Sequence, residues 1–257
     1  DRAGSRSVVS LRDLLALAPM AHFVHWVAHW ADSAKKDFVL AGVYPALEKH
    51  FELLRGVDGA SSILLPLCGS SVDLAWLASQ GLDVTGVECS RDALLAFAAN
   101  HGFELAMSEV SAEAASPLLP WRAGPCALYE GDWFAAEPRS LGKCFDLAYD
   151  RAAIVAINPE MRSSYAAVLR NLLGARSRIL LIALEFEEVA VDPSVTRLGP
   201  HSLGVDEVRS VFIDFDIQVL EEHDVIDVDR FRRLREAGCR SVNEHTLLLR
   251  RKRQETF

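Results

Sequence analysis

The apolar positions of this chain change period from stretch to stretch, and the clearest change falls within residues 61–90. Ile63-Leu64-Leu65 is a short continuous apolar run that stops at Pro66-Leu67-Cys68-Gly69, the pattern of a buried strand running into a tight turn. Val72, Leu74, Ala75, Leu77 and Ala78 then follow at helical spacing, and Gly81 stands where a glycine just past a helix is expected. Val84-Thr85-Gly86-Val87 restores a strand, which closes on Glu88.

The same alternation continues downstream. It predicts helices over Val43–Leu54, Asp92–Asn100, Asn158–Leu173 (stopped by Gly174) and Val205–Phe212, with a short one over Phe231–Ala237. It predicts strands over Cys126–Tyr129, Cys144–Tyr149, Ser177–Phe186, Phe215–Glu222 and Val242–Leu249. Residues 103–125 show no period and carry Pro117, Pro120 and Pro125, so an irregular insertion is expected there. Strands alternating with helices argue for a mostly parallel sheet covered on both faces. The last two strands lack a full crossover helix between them, which fits an antiparallel closing pair.

Before the first strand, residues 1–10 are polar and expected to be poorly ordered, and Leu11, Leu14, Leu15 and Leu17 suggest a short helix stopped by Pro19. Phe23, Val27 and Trp30 then make one helical stripe, with Trp26 one turn before Trp30. This reads either as a lid over an aromatic group or as a helix packed on the core through its tryptophans. His22, His25 and His29 share a neighbouring face, but no acid or cysteine joins them at ligand spacing, so a polar face is the better reading and no metal is expected.

Composition narrows the class. The 257 residues suit one domain, and half of them are apolar with a quarter charged. A net charge of −9 disfavours nucleic acid as a partner. No apolar run approaches the roughly 18–20 residues that span a bilayer, and no secretory signal is visible, so a cytoplasmic monomer without membrane contact is expected. Five cysteines, odd in number and without CxxC spacing, read as reduced structural thiols; Cys68 in particular reads as a small apolar turn residue. The basic end Arg250–Arg253 reads as a solvated tail.

Candidate chemistry concentrates where the alternation is clearest. Glu88 closes the second strand about 20 residues after the glycine turn, where nucleotide-type folds place a carboxylate on ribose hydroxyls. The bland alternative is an acid exposed at a strand end. The turn PLCGSSVD has one glycine, so it lacks both the GxGxxG of a pyrophosphate site and the GxxxxGK[ST] of a P-loop. A cofactor with adenosine but no phosphate fits such a crevice, and S-adenosyl-L-methionine has that chemistry. Its ribose would rest on Glu88 and its amino-acid end near Leu67 and Gly69.

The blocks PLCGxxxDLxWLAxxGxxVxGVExS and FDxxYDRAAxVAINPxxRxxYAxxLxxLL, preceded by WxxxW, resemble the thiopurine S-methyltransferase family, in register from about Trp26 to Leu249. The resemblance implies an α/β fold, the Rossmann-like class I methyltransferase fold, with a seven-stranded mostly parallel sheet, its last strand antiparallel, and helices on both faces. It implies one domain over 1–257, with 1–20 peripheral and 21–60 a helical lid. The implied activity is S-adenosylmethionine-dependent methyl transfer to a small thiol of thiopurine or aromatic type. Halide, hydrosulfide, selenium or tellurium acceptors are the alternative within the same chemistry, and a non-catalytic binding module that keeps the fold is the alternative from a different functional class.

Carried over residue by residue, the resemblance assigns Trp26, Trp30, Leu67, Gly69, Glu88, Cys89, Asp132, Trp133 and Arg151 to the cofactor. It assigns Phe38, Arg151, Pro200 and Arg233 to the acceptor, with Arg151 and Arg233 catalytic and Arg232 competing for the register of Arg233. An arginine beside the acceptor sulfur would favour the thiolate, the nucleophilic form. Asp150-Arg151 also reads as a tie from strand to backbone, and Asp132 as a helix cap. Two departures stand at the acceptor side: the Trp30–Phe38 spacing is one residue long, and VDPSVTRLGPHSLG only loosely follows the family's segment. YDRAA replaces the [DNS]PP[YF]W segment of amino-group methyltransferases on nucleic acid, and the acids expected of a metal-dependent oxygen methyltransferase are absent.

Overall fold

The computed structural model describes residues 24, 26–31, 39–56, 59–108, 116–187 and 199–253, and residues 26–31 are helical. In chain order the labelled elements are α1 (Pro45–Arg55), β1 (Ser62–Pro66), α2 (Asp73–Ser79), β2 (Asp83–Glu88), α3 (Arg91–Asn100), β3 (Leu105–Met107), β4 (Leu119–Ala123) and β5 (Cys126–Glu130). They continue with α4 (Pro138–Leu141), β6 (Phe145–Arg151), α5 (Arg162–Leu172), β7 (Leu173–Glu185), α6 (Val205–Val211), β8 (Phe215–Asp224), α7 (Arg232–Glu236) and β9 (Asn243–Arg251).

Among the described residues, nine strands form one sheet in the order β3-β4-β5-β2-β1-β6-β7-β9-β8. The pairs β1/β2, β1/β6, β2/β5 and β6/β7 are parallel, whereas β9 runs antiparallel between β7 and β8. Seven of these strands, β5-β2-β1-β6-β7-β9-β8, are the expected sheet with its last strand reversed.

The other two correct the reading of 103–125 as irregular. Leu105–Met107 pairs with Leu119–Ala123, which pairs in turn with β5 across a turn at Gly124-Pro125. A three-residue strand is too short to show a period. In β4, Pro120 and the half-exposed Trp121 break the alternation that a one-sided strand would show.

Gly174 is likewise not a helix stop. Helix α5 ends at Leu172, and the chain enters β7 directly, with Leu173 paired to Phe145. Nor is Arg250–Arg253 simply a solvated tail: β9 extends through Arg251, whose Nη1 donates to the carbonyls of Arg170 and Leu173 at 3.0 and 2.8 Å.

Both faces of the sheet are packed, which explains the continuous apolar runs. Along β7, Ile179, Leu181 and Ala183 join the core under α5 and α6, while Leu180 and Ile182 join the opposite core with α1, α2 and α3. Along β1, Leu64 faces the first core, and Ile63 and Leu65 face the second. The order in which successive strands are added to the sheet reverses at β1, which has β2 on one side and β6 on the other, both parallel to it. A crevice opens at the carboxyl ends of strands flanking such a point.

Candidate active site

The turn after β1 is built by two residues in the left-handed region, Leu67 at φ 46 and Gly69 at φ 54. Leu67 carries a side chain there, so the turn is strained and must be held from outside. It is held by β2: Cys68 N donates to the Val87 carbonyl at 3.0 Å, and Gly69 N donates to Glu88 Oε2 at 2.9 Å. Trp30 lies on the turn closely enough that a Cβ on Gly69 would stand 2.6 Å from its Cζ2. Cys68 is buried among apolar side chains, and burial together with Glu88 pushes its thiol up, away from the reactive thiolate.

Glu88 is 3% exposed, which removes the reading as an exposed acid. Its Oε1 accepts from Ser90 N at 2.9 Å and from Cys89 Sγ at 3.2 Å. A carboxylate has about four lone-pair positions, so after the bond from Gly69 one remains on Oε2. Burial raises its pKa against the pull of these bonds. Next along the rim, Asp132 Oδ1 accepts from Phe134 N at 3.0 Å, so it does cap the turn Trp133–Ala135. Trp133 is buried against Tyr165, ring centroids 5.3 Å apart, and its Nε1 has no hydrogen-bond partner among the described residues.

On the far side of β1, Asp150 is fully buried at the end of β6. Its Oδ2 accepts from the Tyr165 hydroxyl at 2.7 Å and its Oδ1 from Ile154 N at 3.0 Å. Burial pushes its carboxyl up to about 6, only partly opposed by these bonds. Asp150 is therefore the tie between strand and backbone that the sequence allowed. The Arg151 guanidinium lies over the Tyr44 ring, 4.7 Å from the centroid. Ala152, at φ 59, turns the chain away at once.

The loop following β7 returns against this corner. Gly199 at φ 83 packs so closely that a Cβ would lie 3.2 Å from Ala156 Cα, and His201 N donates to the Val155 carbonyl at 2.7 Å. Arg162, 1% exposed, holds the loop from α5 through the His201 carbonyl at 3.2 Å and Glu207 at 2.7 Å.

One cavity of about 740 Å³ joins these parts. Trp26, Trp30, Leu67, Gly69, Glu88, Cys89, Asp132, Trp133, Arg151, Pro200 and Arg233 all line it. Phe38 lies outside the described residues, as do His22 and His25. Arg232 does not line the cavity; its side chain is 58% exposed beside Glu236. The sequence reading missed Tyr44, Asp73, Arg230 and Glu244, which also line the cavity. Asp73 had a signal, the acid of PLCGSSVD. Tyr44, Arg230 and Glu244 had none, because nothing local marks three residues that meet across up to 200 positions.

A search of solved structures finds the same architecture in an S-adenosylmethionine-dependent methyltransferase from Methanosarcina mazei (TM-score 0.55, 15% identity, covering 82% of this chain and 99% of that one). It also finds 1,6-didemethyltoxoflavin-N1-methyltransferase from Burkholderia thailandensis, solved with bound 1,6-didemethyltoxoflavin and S-adenosylhomocysteine (TM-score 0.52, 15% identity, 98% and 93% covered). Sheet order and strand directions define the class I methyltransferase fold. Sequence narrows this further. The model of the thiopurine S-methyltransferase family matches residues 22–252, and the chain belongs to that family. Proteins named thiopurine S-methyltransferase from Pseudomonas putida and Pseudomonas paraeruginosa are 39% and 37% identical to it. The matches cover 79% and 88% of this chain, and 88% and 97% of the relatives.

Proposed function

We infer that the protein is an S-adenosylmethionine-dependent S-methyltransferase acting on small aromatic or heterocyclic thiols, thiopurines among them. The observation that carries this is the joining, in one cavity, of the turn tied to Glu88 and the guanidinium of Arg151. A volume of about 740 Å³ suits a donor with a small acceptor.

The residues present fit the cofactor. Glu88 keeps one acceptor position for a ribose hydroxyl, Trp133 Nε1 is a buried donor in need of an acceptor, and Gly69 leaves the floor beneath Trp30 free of side chain. Leu67, Gly69 and Cys89 would border the amino-acid end and ribose, Asp132 and Trp133 the adenine, and Trp26 and Trp30 the top. When bound, S-adenosylmethionine supplies an electrophilic methyl group on a sulfonium.

The chain's own part is alignment and charge. Holding the acceptor sulfur in line with the methyl carbon contributes much of the acceleration in such a displacement. Arg151, with Arg233, would favour the acceptor's thiolate, so that the thiol proton is lost to water and no side chain need serve as base. Pro200, on the loop held by Arg162, would border the acceptor.

The test is methyl transfer to a thiopurine, an aromatic thiol, hydrosulfide, iodide and selenite, alongside calorimetric titration with S-adenosylhomocysteine. Turnover highest with the ring thiols supports the reading. Turnover confined to the inorganic acceptors overturns the acceptor class. Absence of S-adenosylhomocysteine binding overturns the enzyme reading and leaves a binding module.

A further inference from the structure

Tyr44 is 4% exposed, precedes α1 and lines the cavity. Three elements distant in sequence hold it. Its backbone N donates to Asp73 Oδ1 at 3.0 Å, from the head of α2. Its hydroxyl donates to Glu244 Oε1 on β9 and accepts from Arg230 Nη2 at 3.0 Å. Arg230 Nη2 also reaches Glu244 Oε2 at 2.6 Å, closing a triangle. The Tyr44 ring carries two guanidinium groups, Arg151 at 4.7 Å and Arg230 at 5.5 Å.

This arrangement has an electrostatic reason. Asp73 and Glu244 are buried carboxylates in the same cavity as Arg151, and either would attract its guanidinium away from an acceptor. Tyr44 engages an oxygen of each, one with its backbone and one with its hydroxyl, and its ring face lies against the Arg151 guanidinium, close enough to Asp73 for the two charges to act on each other. The charged and titratable groups around it are Asp73, Tyr149, Arg151, Arg230 and Glu244, from four different segments, with Tyr149 and Arg151 both on β6.

We propose that Tyr44 is the positioning residue for Arg151, and that the Arg230–Glu244 pair holds Tyr44 in the orientation that aims Arg151 at the acceptor. The inference rests on the reading of Arg151 as the group that stabilises the acceptor thiolate.

The experiment compares wild type with Tyr44→Leu, Tyr44→Phe and Arg151→Ala. It measures S-adenosylhomocysteine affinity by calorimetry and the pH profile of kcat with a thiopurine at saturating donor. Loss of aim in Tyr44→Leu lowers kcat/KM for the acceptor about 10- to 100-fold. It also moves the acid limb of the kcat profile up by about one pH unit, as Arg151→Ala does, with donor affinity held. Tyr44→Phe keeps the ring and moves the limb less.

A merely structural role lowers the active fraction and leaves the limb in place. A shifted limb in Arg151→Ala with an unshifted one in Tyr44→Leu overturns this inference and leaves the reading of Arg151 standing. An unshifted limb in both overturns the reading of Arg151 and the inference with it. Should the leucine variant fail to fold, Glu244→Gln, which weakens the hold on Tyr44, must shift the limb in the same direction, and no shift there overturns the proposal.

Discussion

Trp30 lies directly against the backbone of Gly69, so closely that a single Cβ would stand 2.6 Å from its ring. The contact joins a helical segment upstream of the sheet to the turn at the end of β1. Gly69 is thus constrained twice, by this approach and by its φ of 54.

Gly69→Ala should therefore weaken S-adenosylhomocysteine binding by about 10-fold or more. Strain in the left-handed region costs about 1 kcal/mol, and the displaced ring adds to it. Calorimetry on Gly69→Ala, Trp30→Ala and the double variant checks the cause. Because both single changes act on one contact, the double variant should lose less than the two losses combined.

Glu88→Gln keeps the shape of the side chain and should still bind donor poorly. Both carboxylate oxygens accept backbone N–H bonds, from Gly69 on one and Ser90 on the other, so an amide must turn its NH₂ toward a donor whichever way it is flipped. A buried unsatisfied donor costs about 1–3 kcal/mol. A lowered Tm together with a raised S-adenosylhomocysteine Kd is the expected result; an unchanged Kd would show that the carboxylate is not needed for the donor.

Asp150 predicts a pH dependence of stability. Its folded pKa, about 6, lies above the ordinary 3.8, so the folded chain holds this proton more tightly than the unfolded chain. Its contribution is fully present below about pH 4 and is lost as pH rises through about 6. At neutral pH the ionised carboxyl then costs the fold on the order of 3 kcal/mol, at about 1.4 kcal/mol per pH unit. Asp150→Asn can still accept from Ile154 N while its NH₂ donates to Tyr165, so it should gain stability relative to wild type from pH 4 to pH 7. Urea unfolding at both pH values checks the sign. A difference independent of pH would refute it.

Arg232 and Arg233 should separate cleanly. Arg233→Ala is expected to raise the acceptor KM severalfold, since Arg233 lines the cavity. Arg232 is exposed beside Glu236, and a surface pair of this kind is worth about 0–1 kcal/mol, so Arg232→Ala should leave both KM and kcat close to wild type. Steady-state kinetics with a thiopurine distinguishes them, and equal effects would return the register to question.

Much of the donor side could be read from local pattern, because local physics makes it. A strand, a glycine turn, a helix and a second strand ending in an acid lie within thirty consecutive residues, and each has its own periodic or steric signature. The edge strands β3 and β4 could not be read this way. Their pairing is decided by neighbours across the sheet, and Pro120 disguises the alternation. Arg251 was misread for a similar reason: basic side chains at a chain end look solvated until the carbonyls of Arg170 and Leu173 come within reach.

The amino-acid sequence by itself determined the parallel core, the single-glycine turn, Glu88 and the DRAAIVAINP block, all set by short-range spacing. Only the tertiary structure decided that Glu88 is already committed to Gly69 and Ser90, that Arg233 and not Arg232 reaches the cavity, and that Tyr44, Arg230 and Glu244 meet beside Arg151. The physical reason is distance along the chain. Hydrogen bonds and cation–π contacts between residues up to 200 positions apart depend on how the sheet brings its strand ends together, and no local pattern records that.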